Sequence, residues 1–406
     1  MTRGGNPPLK GVRVADFTWI GAGSFTTKLL ADCGAEVIKI ETATHLDTLR
    51  MTPPFRDDLP GVNRSGYFAD RNSSKLSICL NVKTPAGLDL ARRLVAISDV
   101  VANNFRPRVM DRLGLGYDYV RKLKSDIIYL SMSMQGSAGP DAHSVGFGLT
   151  IGALSGLQSL AGPVDRPPAG SNTNYPDHVP NPCHAAFAVM AALIHRNRTG
   201  KGQFIDLAQT EPMVALLAPH MLQYAVDGVV VERMGNDDPT MCPHGVYPCA
   251  GNDRWIAIAC ASDAEWARLS ECLGGRAPRR WANADCRRAE RAKLDAWIGA
   301  RSGLLDRYAL MRDLQDAGIA AGVVQDARDL VENDPQLAHR GRWVRLSHPE
   351  MKDSIYGNVP YRLTRTPAKL FSPAPLLGEH TEHVCREVLG ISAGEFETYR
   401  AKGAFE

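Results

Sequence analysis

Five short apolar runs, "GVRVADFTW", "EVIKIE", "SKLSICLNV", "DVVANNF" and "DIIYLSMS", recur between residues 11 and 135. Helix-patterned segments stand among them: "SFTTKLLADCGA", "TPAGLDLARRLVAIS" and "YDYVRKLK". A hydrophobic period that switches from strand-like to 3.6 residues and back is the mark of βαβ units. Strands joined through helices must lie parallel, so this stretch predicts a mainly parallel, Rossmann-type sheet. Thr84 is placed to cap the second of these helices, with Pro85 in its first turn.

The pattern changes after about residue 225. "GVYPCAGNDRWIAIAC" reads as a strand pair around a Gly-Asn-Asp turn, followed by the helices "AEWARLSECLG" and "RYALMRDLQDAG". This predicts a smaller α+β unit. Short strands and a terminal helix return from "GRWVRLSHPE" onward, after residue 335. The amphipathic run Cys183 to Arg198 is expected to lead from the first unit toward the second.

A chain of 406 residues, 44% hydrophobic and 22% charged, has room for two or three ordinary globular domains. Its net charge of +3 argues for neither nucleic acid nor an anionic membrane as partner. The longest apolar stretch, "AAFAVMAALI", suits a buried helix, and the first residues carry no secretory pattern. The nine cysteines contain no CxxC pair, which fits reduced thiols in a cytoplasm. Cys242, His244 and Cys249 lie close together but lack a fourth ligand at zinc spacing, so no metal is expected.

Two stretches carry candidate chemistry. The first βα turn holds "GAGSFT", and Gly21, Gly23 and the downstream acid Glu41 fit part of a dinucleotide fingerprint. Its third glycine is replaced by Thr26. A tight turn that uses glycine for its backbone explains the stretch equally well. The second is "NYPDHVPNP", residues 174–182, where three prolines surround Asp177 just ahead of a long helix. By composition this is a stiff turn. Asn181 is a plausible N-cap and Pro182 a plausible first helical residue.

Taken in order, "PLKGVRVADFT", "LLADCGAEVIKIE", "NSSKLSICLNVKTPAG", "VVANNFRPRVMDRLGLGY", "ALIHRNRTGKGQFIDLAQTE", "AGIAAGVVQDARDL", "NDPQLAHRGRW" and "PAPLLGEHTEHV" resemble the family III CoA-transferases. This group contains formyl-CoA, carnitine-CoA and benzylsuccinate-CoA transferases, and the resemblance runs nearly end to end. It implies an α/β fold: a Rossmann-like large domain built from both termini plus a smaller α+β domain, in an interlocked homodimer. The implied bounds are residues 1–220 for the N-terminal part of the large domain with a linker helix. Residues 225–330 form the small domain, and 335–406 return to the large one.

The resemblance makes Asp177 the catalytic carboxylate, which attacks a thioester to give a mixed anhydride and then an aspartyl-CoA thioester. A nearby helix N-terminus is expected to keep Asp177 ionised. Coenzyme A and acyl-CoA enter as substrates, with no permanently bound cofactor. Leu80 to Lys83, Asn104, Phe105, Arg106 and Arg112 match the segments that meet the adenine and phosphates. Arginine suits phosphate because its planar fork grips two oxygens. Gly21 and Ala22 match the loop beside the thioester. The formyl enzyme has glutamine at the first of these, so glycine here is expected to admit a bulkier acyl group. The wording around Asp177 favours succinyl-CoA or a similar donor and a medium-sized acceptor acid, aromatic or dicarboxylic.

Three alternatives compete. An α-methylacyl-CoA racemase shares the fold but needs opposed acid and base groups, where this chain has Phe147 and Gly148. An NAD-dependent dehydrogenase accounts for the glycine turn and none of the later motifs. A non-catalytic CoA-binding partner has no use for Asp177.

Overall fold

The five apolar runs form strands β1 (Arg13–Asp16), β2 (Glu36–Glu41), β3 (Leu76–Cys79), β4 (Val100–Asn103) and β5 (Ile128–Ser131). A sixth strand, β6 (Gln203–Asp206), is one the sequence reading lacks: it sits at the sheet edge, mostly exposed, without apolar alternation. All pairings are parallel, in the order β3-β2-β1-β4-β5-β6. The computed structural model describes residues 6–170, 173–275 and 277–406. Residues 1–5, 171 and 172 of the expected large domain, and 276 of the small one, lie outside these.

Alternate strand residues feed two separate cores, as a pleated sheet covered on both faces requires. Ala15, Ile38, Val101 and Tyr129 face one core, filled by Leu90, Ala91, Leu94 and Val95 and by Val384 and Phe396 from the C-terminal segment. Val14, Val37, Val100 and Ile128 face the other, filled by Leu30 and Ala31 and by Ala185, Val189 and Leu193. Each fully buried aliphatic side chain contributes roughly 1.5–3 kcal/mol. These two layers therefore outweigh any single cap, such as the Thr84 hydroxyl that accepts the Gly87 N–H at 3.0 Å.

Among the described residues the α-helices before β6 are α1 (Ile20–Asp32), α2 (Gly66–Asn72), α3 (Pro85–Ala96), α4 (Val109–Arg112), α5 (Tyr117–Leu123), α6 (Gly148–Leu154), α7 (Leu157–Leu160), α8 (Tyr175–His178) and α9 (Pro180–Thr199). The Cys183–Arg198 run lies in α9, which is a crossover between β5 and β6 rather than a bridge to a second unit. A crossover helix runs against the strands, so α9 starts at their carboxyl ends. Helix α1, which leaves β1, starts at the same edge. The hairpin Trp343–His348 and Lys352–Gly357 packs Met351 and Tyr356 against Leu49 and Phe68.

The chain divides into two compact units. One comprises the chain through Gln158 with Gly170–Val230 and Leu337–Glu406; the other comprises Ser159–Ala169 and Val231–Gln336. The second contains an antiparallel sheet, β7 (His244–Pro248), β8 (Trp255–Ala259) and β9 (Ala320–Val323). Its core gathers Trp266, Trp281 and Trp297, with ring centroids 5.8–6.2 Å apart. Among the described residues no helix is long and apolar enough to cross a membrane, and no group of three His, Cys, Asp or Glu is placed to hold a metal ion.

Candidate active site

The "GAGSFT" stretch is not a phosphate loop: α1 begins at Ile20, so these residues are its opening turns. Glycine is needed there for close approach. A Cβ on Gly23 would lie 2.6 Å from the Thr18 Cβ and 2.8 Å from the Asn104 Cγ. One on Gly21 would lie 2.8 Å from the Asp177 Cβ and 3.0 Å from its Oδ2. The room expected beside Gly21 for a bulkier acyl group is thus occupied by the Asp177 side chain. Glu41 is unavailable to a ribose as well. It is buried, both its oxygens accept from Arg50 at 2.8 and 2.7 Å, and one also accepts from Ser77 at 2.9 Å. The dehydrogenase alternative loses both its features.

Asp177 lies in the single turn α8, buried at 6% exposure. The Gly148 backbone N–H bonds its carboxylate, and the Arg71 guanidinium acts on it as the nearby positive charge. Burial outweighs both and pushes its pKa up to about 6. The expected helix N-terminus is present, since Gly148 opens α6 and its N–H lowers the pKa, but burial outweighs it. Asn181 is no N-cap either. Val179 holds that position, α9 starts at Pro180, and the buried Asn181 amide reaches Gln209 at 3.4 Å.

Arg71 was not legible as a site residue. It stacks on Phe25, with its guanidinium 4.3 Å from the ring centroid, and stands 5.6 Å from that of Tyr67. It also contacts His178 Nδ1 and Asp70, while its Nε is buried without a partner. Burial and Arg71 together lower the His178 pKa to about 4, so His178 is neutral at physiological pH. His184 turns back to the Pro180 carbonyl at 2.8 Å, as helix packing alone explains.

Beyond this cluster, a cavity of about 500 Å³ opens at the carboxyl ends of the strands. Its position follows from topology: the strand order reverses between β1 and β4, leaving a crevice there. Leu80, Lys83, Asn104, Phe105 and Arg106 line it, with Lys83 and Arg106 exposed. Arg112 is not among the lining residues; it sits on the exposed face of α4. Ala22 is buried in the core under α1 rather than facing the cavity. The Asn104 amide is already committed, accepting the Trp19 N–H at 2.8 Å and donating to the Trp19 carbonyl at 2.7 Å.

Further lining residues come from segments distant in sequence: Trp19, His45, Ser133, Met134, Phe147 and Gln209. Trp19 packs on His45 and Phe105, with centroids 5.0 and 5.7 Å apart. Phe147 stands where a racemase needs an acid–base group, and its neighbour Gly148 donates to Asp177. Neither of these two side chains can move a proton. A cavity of this size with a mixed polar and apolar lining, and with the cations Lys83 and Arg106 exposed on it, suits an extended anionic ligand.

Were Asp177 the reacting group, ionised to react, its raised pKa of about 6 would set the pH dependence of the reaction. The rate constant kcat/KM is expected to be flat above pH 7 and to fall about tenfold per pH unit well below 6. A flat profile down to pH 5 in steady-state assays would contradict this role.

The family model described as CoA-transferase family III matches residues 9–381. The chain is 32% identical over 387 residues to the succinate–glutarate CoA-transferase of Agrobacterium fabrum, covering 94% of this chain and 96% of that one. It is 33% identical over 410 residues to the protein named "Probable CoA-transferase Rv1866" of Mycobacterium tuberculosis, covering 97% of this chain but only 50% of that one. The crystal structure of a CAIB/BAIF family protein from Brucella suis superposes with a TM-score of 0.87 at 33% identity, covering 94% of this chain and all of that one. With its parallel six-stranded sheet and its match across nearly the whole length, the chain belongs to CoA-transferase family III, enzymes that move coenzyme A between carboxylic acids.

Proposed function

We propose that this enzyme moves CoA from succinyl-CoA to a dicarboxylic acid through covalent intermediates on Asp177. The observation that carries the reading is a buried carboxylate, raised in pKa and bonded by the Gly148 N–H, the residue next to Phe147 in the wall of the cavity. An Asp177 oxygen attacks the thioester carbonyl; the C–S bond breaks and CoA leaves as thiolate, giving a mixed anhydride. The thiolate then attacks the aspartyl carbonyl, releasing succinate and forming an aspartyl-CoA thioester. The acceptor carboxylate attacks that carbonyl in turn and displaces the thiolate. The thiolate finally attacks the acceptor's acyl carbon, which frees Asp177 and the new CoA ester. Dividing one acyl exchange this way replaces a high barrier with lower ones. Lys83 and Arg106 are proposed to meet the phosphates, and Leu80 and Phe105 the adenine; Arg112 has no support from the cavity lining.

The dicarboxylate rests on Arg71. Its Nε is buried and unpartnered beside Asp177, and a cation so placed pairs with a second carboxylate on the substrate. The Agrobacterium relative is named for two dicarboxylates, succinate and glutarate. Purified enzyme, succinyl-CoA and a panel of acids, read by mass spectrometry of the CoA esters, tests the reading. Dicarboxylates of four to six carbons are expected to react and monocarboxylates poorly. Arg71→Gln is expected to raise KM for the dicarboxylate about 10–100-fold, the loss of one charge-assisted pair. Equal use of monocarboxylates, or an unchanged KM in Arg71→Gln, would count against it.

We also propose a homodimer. Phe187, Met190 and Ile194 on α9, and Leu222, Tyr224, Val226 and Val230 on and after the helix Ala218–Asp227, are all exposed on one unit. A second copy seated on these helices would cover the apolar side chains they leave open to water. Sedimentation at the monomer mass would overturn this. All nine cysteines are free, which suits a reducing cytoplasm; imaging of a tagged chain checks it.

A further inference from the structure

The turn that carries Gly21 to Asp177 is held by buried side chains instead of by backbone. Asp16 Oδ1 accepts the Thr18 N–H at 2.9 Å and its hydroxyl at 2.6 Å. The Lys39 ammonium donates to the Thr18 carbonyl at 2.7 Å. Asn104 satisfies both the N–H and the carbonyl of Trp19. Asp47 Oδ1 accepts the Ile20 N–H at 3.1 Å, and its Oδ2 takes the Lys39 ammonium at 3.0 Å. Lys39 and Asp47 are completely buried.

Ile20 itself has φ +59°, a left-handed conformation that costs a β-branched residue dearly. Such a conformation persists only where its surroundings over-determine it. Here it turns the chain from β1 into α1 so that Gly21 meets Asp177 at van der Waals distance. A buried ion pair is a poor stabiliser next to well-packed apolar residues, because both charges must leave water. Stability alone therefore does not account for Lys39 and Asp47 lying under this turn.

We infer that Asp47, steadied by Lys39, is a positioning residue for CoA transfer: it fixes Ile20 in the left-handed conformation that sets Gly21 and the start of α1 against Asp177. The inference rests on Asp177 being the reacting carboxylate. Asp47 touches no reacting atom, so its effect is expected in kcat and not in CoA affinity.

The test uses the full-length enzyme, with succinyl-CoA turnover, CoA affinity by calorimetry, and thermal unfolding. Asp47→Ala is expected to lower kcat about 100-fold while the Kd for CoA stays within about threefold, as small displacements at a reacting centre do. Adding Ile20→Gly, which adopts φ +59° without strain, is expected to restore kcat at least about tenfold. A merely structural Asp47 would give no such rescue. Should Asp47→Ala fail to fold, the pair Lys39→Met with Asp47→Leu keeps the site packed and free of lone charge. It is expected to fold, to lose kcat about 100-fold, and to be rescued by Ile20→Gly. Wild-type kcat in whichever of these folds, or no rescue by Ile20→Gly, overturns the inference. Failure of the Asp177 reading looks different: Asp177→Ala would itself keep transferring CoA.

Discussion

Asp177→Asn is expected to reduce CoA transfer at least about 10⁴-fold while the protein still binds CoA, since removal of a covalent nucleophile typically costs this much or more. The amide is nearly isosteric but cannot form the anhydride. Asp177 contributes nothing to the cavity lining, so CoA affinity should stay within about threefold. The same substitution should stabilise the fold near neutral pH. The native pKa is raised from 3.8 to about 6, so the buried group favours its protonated form. That contribution is whole below pH 3.8 and is lost as pH rises through 6. At pH 7 and above the wild type carries a desolvated carboxylate that costs about 3 kcal/mol. Asp177→Asn should accordingly melt higher at pH 7–8, with the difference shrinking toward pH 4. A lower melting temperature at pH 7.5 would mean the carboxylate is well solvated or well paired.

The second large effect belongs to Gly21→Ala. The new methyl would lie 2.8 Å from the Asp177 Cβ and 3.2 Å from its Cγ, so the carboxylate has to move. The neighbouring Thr18–Ile20 turn cannot yield easily, because side chains hold every one of its residues. A shift of about an ångström at a nucleophile costs on the order of 10²-fold in rate. We expect kcat to fall about 10²–10³-fold with CoA affinity nearly unchanged. Alanine is otherwise at home in a helix, so stability should drop by no more than about 3 kcal/mol, the range for overpacking a core. Steady-state kinetics beside calorimetric CoA binding separates the two quantities. A kcat within threefold of wild type would show that Gly21 is not where closeness matters.

Much of the parallel sheet was legible because β1 to β5 are apolar runs in a helical context, and that period survives without tertiary information. β6 was not, since an exposed edge strand has no buried face to pattern it. Asp177 was legible only through resemblance; a Pro-Asp turn has no signal of its own. Its raised pKa was not legible, because a helix terminus can be read from sequence whereas the burial that outweighs it cannot. The glycines serve close packing and not phosphate binding. Their spacing evoked a phosphate loop, while the structure uses them to let α1 close on Asp177 and Thr18. Arg71, Asp47 and Asn104 act through partners dozens of residues away, and no local pattern announces such pairs.

The claim on which the rest depends is that CoA becomes bonded to Asp177 itself. Enzyme incubated with succinyl-CoA and no acceptor, then treated with borohydride and digested, gives peptides that mass spectrometry can locate. Borohydride reduces an aspartyl thioester to the alcohol and leaves a free carboxylate untouched. Reduction is expected at residue 177 alone, dependent on succinyl-CoA and reversed when a dicarboxylate acceptor is added first. Full CoA transfer with residue 177 unreduced, or reduction at another carboxylate, would contradict it.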